Sequence, residues 1–133
     1  MEKKLKHLEF LQLAITRMNV NSFLLKGWAV TLVSALFALA AKDANVKYVF
    51  ISYIAIPVFW ILDGFYIAVE RRYRGLYNEV ASKHEDEIDF NMDASIYNKD
   101  DATWISGIFS STLAIFYGLC VFTTLAVMFL LKN

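Results

Sequence analysis

Asp63 is the residue that most constrains what this chain can do, because it is a single carboxylate inside an otherwise uncharged run. From Tyr48 to Val69 there are twenty-two positions with no other charge. An ionised carboxylate in hydrocarbon is costly unless a cation, hydrogen-bond donors or water accompany it. Asp63 lies about two helical turns, roughly 10 Å, inside the end of that run. The preceding apolar run, Phe23 to Ala41, also holds one charge, Lys26, about one turn shallower. A lysine stem spans such an offset, so Lys26 is the expected partner of Asp63. The pair has two readings. One is a static contact that sets the register of two helices. The other is a charge lining a water-filled path, which needs several copies of the chain to enclose it. Pro57, the only proline, removes a backbone bond in "AIPVFWILDG" and predicts a kink near Tyr53, while Gly64 follows Asp63 directly. A proline and a glycine on either side of a buried carboxylate would serve as a hinge, although both are ordinary in membrane helices.

Other chemistry is sparse. Cys120 is the single cysteine and sits in an apolar run, which leaves no disulfide and no thiolate cluster. His7 and His84 lack a second ligand at metal spacing. No glycine-rich loop resembles a phosphate cradle. Asp89, Asn91, Asp93, Ser95, Tyr97 and Asp100 occupy the ligand positions of a twelve-residue calcium loop, but Ala94 replaces the turn glycine and Asp100 the bidentate glutamate. The same stretch reads as a solvated acidic connection closed by Asp101 or Thr103 as a helix cap. No catalytic residue, cofactor, metal or nucleic-acid partner is expected, and the chain is not read as an enzyme. Arg71, Arg72 and Arg74 form a compact basic cluster that suits anionic lipid head groups, or a phosphorylated signal.

These residues must be positioned by helices in a bilayer. The 133 residues are 58% apolar and 16% aromatic, above the usual content of a soluble domain. Ala102 to Leu131 runs thirty positions without a charge, where about 20 suffice to cross a bilayer. With Phe23 to Ala41 and Tyr48 to Val69 it makes three spans, apolar on every face, as a soluble bundle would not be. A cleavable signal is disfavoured, because more than twenty amphipathic residues precede the first span. The linker Lys42 to Lys47 allows only a tight turn, so the first two spans form a hairpin. Leu8, Leu11, Ile15 and Met18 give residues 1–22 an amphipathic helical seam, expected to lie on the leaflet or against the second span's extension. That extension is "ERRYRGLYNEVASK", whose Glu70 and Arg74 fall one turn apart.

The expected fold is thus all-α: one membrane domain, with an amphipathic helix over 1–22, spans over 23–41, 48–69 and 102–131, and a cytoplasmic helix and acidic connection over 70–101. Ten of thirteen cations fall in residues 1–26 and 70–101, which places the N-terminus in the cytoplasm and the C-terminus outside, in a multi-pass inner-membrane protein. Gly107, Ser111, Ala114 and Gly118 form a small-residue stripe suited to close helix packing, and Thr31, Ser34, Ala38 and Ala41 form a second. One internal and one intersubunit contact would use both, so the expected partners are the lipid bilayer, further copies of the chain, and a cytoplasmic protein or signal.

A hairpin followed by "FWILDGFYIAVERRYRGLY", in which a span flows into a basic, aromatic helix, resembles the small two-helix membrane effectors called SLATT proteins. The likeness covers about residues 20 to 83, and the third span and acidic connection lie outside it. It implies association with bacterial conflict and anti-phage operons, and action by oligomerising and permeabilising a membrane. The expected function is a homo-oligomeric, channel-like or membrane-perturbing effector, with a non-conducting anchor or scaffold subunit as the alternative.

Overall fold

The computed structural model describes residues 1–43 and 45–132, leaving Ala44 of the predicted Lys42–Lys47 turn and the terminal Asn133 outside the described residues. Four α-helices carry the fold: α1 (Glu2–Asp43), α2 (Lys47–Ala81), α3 (Trp104–Ile108) and α4 (Ser111–Lys132). No strand occurs among the described residues. Three of these helices, α1, α2 and α4, are long and apolar enough to cross a membrane.

The amphipathic segment and the first span are one helix. No proline or turn cluster separates Val20 from Lys26, so the backbone continues for 42 residues, about 63 Å, where the sequence reading set a boundary at residue 22. The change from amphipathic to wholly apolar is a change of surroundings, not of backbone. Helix α2 likewise runs through Pro57 and on past the apolar run to Ala81. The two helices pair antiparallel along their length. At one end, Ala29 and Val33 of α1 meet Ile56 of α2 and Leu113 and Tyr117 of α4 in a core. At the other, Leu11 meets Leu76 and Val80, with Ala94 of the connection closing the cluster. This second cluster forms a cap outside the apolar spans, referred to below as the capped end.

The connection after α2 is held down at many points. Glu85 accepts from the backbone amides of Lys3 (2.7 Å) and Lys4 (3.1 Å) and pairs with the Met1 amino nitrogen (2.8 Å), so it caps the first turn of α1 from 81 or more residues away in sequence. His7 is fully buried and donates from Nε2 to the Asn91 carbonyl (2.9 Å). Tyr97 packs on Gly75 and donates to Glu79; burial, reinforced by that carboxylate, pushes its phenol up to about 12.

The third span differs from its sequence reading. Residues 102–131 do not form one helix: α3 ends at Ile108, Phe109 and Ser110 are not helical, and α4 begins at Ser111. Thr103, one of the two predicted caps, accepts from the Ser106 amide (3.3 Å) and starts α3. The break has a tertiary cause. Gly107 lies so close to α2 that an added Cβ would collide with the Gly64 carbonyl oxygen, and one on Gly64 would come within 2.9 Å of the Ile108 Cα. Trp60 donates to the Ile108 carbonyl (2.7 Å) and Trp104 to the Ile61 carbonyl (2.9 Å), so α3 is clamped across α2 and its path cannot continue into α4.

The Gly107→Ala variant should therefore lose about 1–3 kcal/mol by overpacking. Gly118→Ala, with nothing within 4 Å of the new methyl, should lose none. Unfolding in mixed micelles distinguishes the two. The Glu85 carboxyl is held below its ordinary value of 4.5, first by the Met1 amino nitrogen and, against desolvation that raises it, by the Lys4 and Lys3 amides. A carboxyl depressed on folding stabilises the fold above its unfolded value and loses that contribution as pH falls through the folded one. Protection of the first-turn amides of α1, taken relative to their intrinsic exchange rates, should thus fall on acidification through that window, and Glu85→Gln should remove the dependence.

Candidate functional site

Three helices converge on Asp63. Its position on α2 faces α1, and the i, i+4 spacing of Ser22 and Lys26 puts both on the α1 face that meets it. Lys26 Nζ donates to Asp63 Oδ2 (2.8 Å) and to Ser22 Oγ (2.7 Å), and Ser22 Oγ in turn donates to Asp63 Oδ1. From α4, the Tyr117 hydroxyl donates to Asp63 Oδ2 (2.9 Å). Asp63 is 0% exposed, and the Lys26 side chain 17%. The predicted partners are brought together, and two hydroxyls complete a closed network. Ser22 and Tyr117 were missed in the sequence because a hydroxyl does not stand out as a defect in an apolar run. Only the spacing of Ser22 from Lys26 signalled it. Trp60 stacks on Tyr117 at 5.8 Å between ring centres, which fixes the phenol in place.

Beside this network lies an open cavity of about 440 Å³, lined by polar side chains together with Phe23 and Ile67. Ser22 and Lys26 line it from α1, Glu70 and Arg71 from α2, and Ser110, Ser111 and Thr112 from the break and the first turn of α4. The first intrahelical bond here runs from the Ala114 amide to the Ser110 carbonyl (2.8 Å), so the amides of Ser111, Thr112 and Leu113 precede the ladder. Ser110 stands where a helix cap would, is 8% exposed, and has a hydroxyl with no partner.

The three arginines do different work. Arg71 donates to the Asp101 carbonyl (2.7 Å) and Arg72 to the Ala102 carbonyl (2.9 Å) and Asn98 Oδ1 (3.1 Å), which pins the end of the connection to α2. Arg74 pairs with Glu70 one turn back. The predicted basic cluster is thus partly an internal clamp.

Gly64 sits in the α2–α3 contact described above, and Pro57 lines a small apolar cavity with Trp60, Ile61, Ile108 and Phe109. The predicted packing stripe does not act as one face within the chain. Gly107 is buried on α2, whereas Ser111 and Ala114 are exposed and Gly118 meets nothing within 4 Å. The break at Ser110 rotates α4 so that Leu113, Tyr117 and Thr124 are its buried positions. On α1, Thr31, Ser34, Ala38 and Ala41 are likewise exposed. In the acidic connection, Asp89, Asn91 and Asp93 each accept from the backbone amide two residues on, at 2.9–3.1 Å. Such side-chain turns shape the loop. Among the described residues no three His, Cys, Asp or Glu side chains gather as a metal site.

Removing one member of a buried pair strands the other, so Asp63→Asn should destabilise the chain by about 3–5 kcal/mol. Replacing both, as Lys26→Met with Asp63→Leu, should recover most of that loss. A double-mutant cycle by unfolding in micelles measures the coupling, and additive losses would contradict the closed network. Compared with known proteins, the chain matches no family model, no curated protein and no solved structure.

Proposed function

We propose that the chain assembles into a homo-oligomer and acts as a channel-like or membrane-perturbing effector, with its capped end in the cytoplasm. The observation that carries this is the broken third helix beside the polar cavity. Irregular backbone at membrane depth is tolerated where it is buried in protein or faces water. The amides of Ser111 and Thr112 and the hydroxyls of Ser110 to Thr112 supply such a wall, and Lys26 lines the same cavity. Assembly draws support from the small residues left outside the chain's own core, Thr31, Ser34, Ala38 and Ala41 on α1 and Ser111, Ala114 and Gly118 on α4, since small residues let membrane helices approach closely. Orientation follows from the cation bias, ten against three, which favours an inner-membrane protein with its N-terminus inside. The cap of α1, α2 and the connection would take the triggering protein or signal. The resemblance of residues 20 to 83 to SLATT effectors supports a role in anti-phage defence.

A second reading, a non-conducting anchor or scaffold, is favoured by the complete burial and full hydrogen bonding of Asp63. Such a carboxylate can set helix register without ever meeting an ion.

The mass of the protein in nanodiscs and its ion flux in liposomes decide between them. A ring of four or more chains is expected, with flux whose ion preference changes when Lys26→Met and Asp63→Leu are combined. A monomer or dimer, or an assembly with no flux, leaves the scaffold.

A further inference from the structure

We propose that the cavity at the start of α4 is a binding site for a phosphate group. Its walls carry an uncompensated positive field. Both carboxylates nearby are already matched, Asp63 by Lys26 and Glu70 by Arg74. Arg71 has no carboxylate partner among the described residues: it gives one donor to the Asp101 carbonyl and keeps the rest of its fork. Lys26 uses two of its three ammonium protons, on Ser22 and Asp63.

The α4 N-terminus adds its dipole and the amides of Ser111 and Thr112, both of which line the cavity. That helix is 22 residues long, so the dipole is fully developed. A second, independent feature points to a ligand. Ser110 is more than nine-tenths buried, lines the same cavity, and leaves its hydroxyl unpaired, where a helix cap would ordinarily bond an amide of its own first turn. A buried hydroxyl without a partner costs free energy that a bound acceptor returns. Backbone amides, a free hydroxyl and a guanidinium fork on one cavity wall are a phosphate donor set. Glu70 and Arg71, the first charged residues beyond the apolar run of α2, line the cavity, so it opens toward head-group level. The phosphate can therefore belong to an anionic lipid or arrive free from solution. Binding requires the cavity but no conduction, and it is read separately from flux.

The test uses the full chain in detergent and in phosphatidylcholine nanodiscs. Native mass spectrometry with added phosphatidylglycerol or phosphatidylcholine reads lipid retention, and thermal unfolding with inorganic phosphate reads the free anion. Preferential retention of phosphatidylglycerol assigns a lipid phosphate, and a phosphate-dependent rise in Tm assigns a soluble one. In either case Arg71→Gln should weaken binding about tenfold and Ser110→Ala several-fold, as lost hydrogen bonds to a charged ligand do. Ser110→Ala removes one unpaired oxygen and keeps the fold, so it decides the matter even where Arg71→Gln loosens the connection. Equal retention of both lipids with no phosphate shift overturns the proposal, as does binding that Ser110→Ala leaves unchanged.

Discussion

The carboxylate of Asp63 is the constraint on which the rest of the arrangement depends. A charge with no exposure to solvent needs donors from every side, and the chain supplies them from three helices: Ser22 and Lys26 from α1 and Tyr117 from α4. Between apolar helices in lipid there is no hydrophobic drive toward association, so packing and interhelical hydrogen bonds set the geometry. Here that polar contact fixes the register of the α1–α2 hairpin and the rotation of α4 together. The clamp of α3 lies beside it, since α3 crosses α2 at Gly64, the residue after Asp63, before α4 brings Tyr117 to the carboxylate.

That break converts an apolar strand of sequence into a place with chemistry. A continuous helix through residues 102–131 would have satisfied its own amides and presented Ser110, Ser111 and Thr112 as incidental hydroxyls on its surface. Interrupting it exposes a fresh helix end beside Lys26 and Arg71, and creates the cavity they share. The arginines connect this region to the cap. By holding the carbonyls of Asp101 and Ala102, Arg71 and Arg72 set where α3 starts, and so where it crosses Gly64.

The sequence makes the charged part of this legible and leaves the neutral part hidden. Lys26 and Asp63 stand out because each is alone in an apolar run, and helical rise puts them within the reach of a lysine stem. Ser22 and Tyr117 carry no such contrast, and which face of α4 turns inward depends on the break. The break itself has no local marker, since no proline or charge interrupts thirty residues and Gly107 fits a packing stripe as readily as a crossing point. Its causes are tertiary: the backbone contact with Gly64 and the bonds from Trp60 and Trp104. The opposite error arises in α1, where a change in hydropathy near residue 22 reads as a boundary although every residue there sustains a helix. Glu85 illustrates the same limit, because nothing near it in sequence announces that it caps a helix some eighty residues earlier.

The unbroken run of α2 from the apolar core into the cap has a mechanical consequence. From Asp63 to Val80 the helix extends about 26 Å without a joint, as a stiff arm pivoted where three helices grip one carboxylate. A tilt of about 5° at that pivot carries the far end of the arm about 2 Å, enough to part Val80 from Leu11.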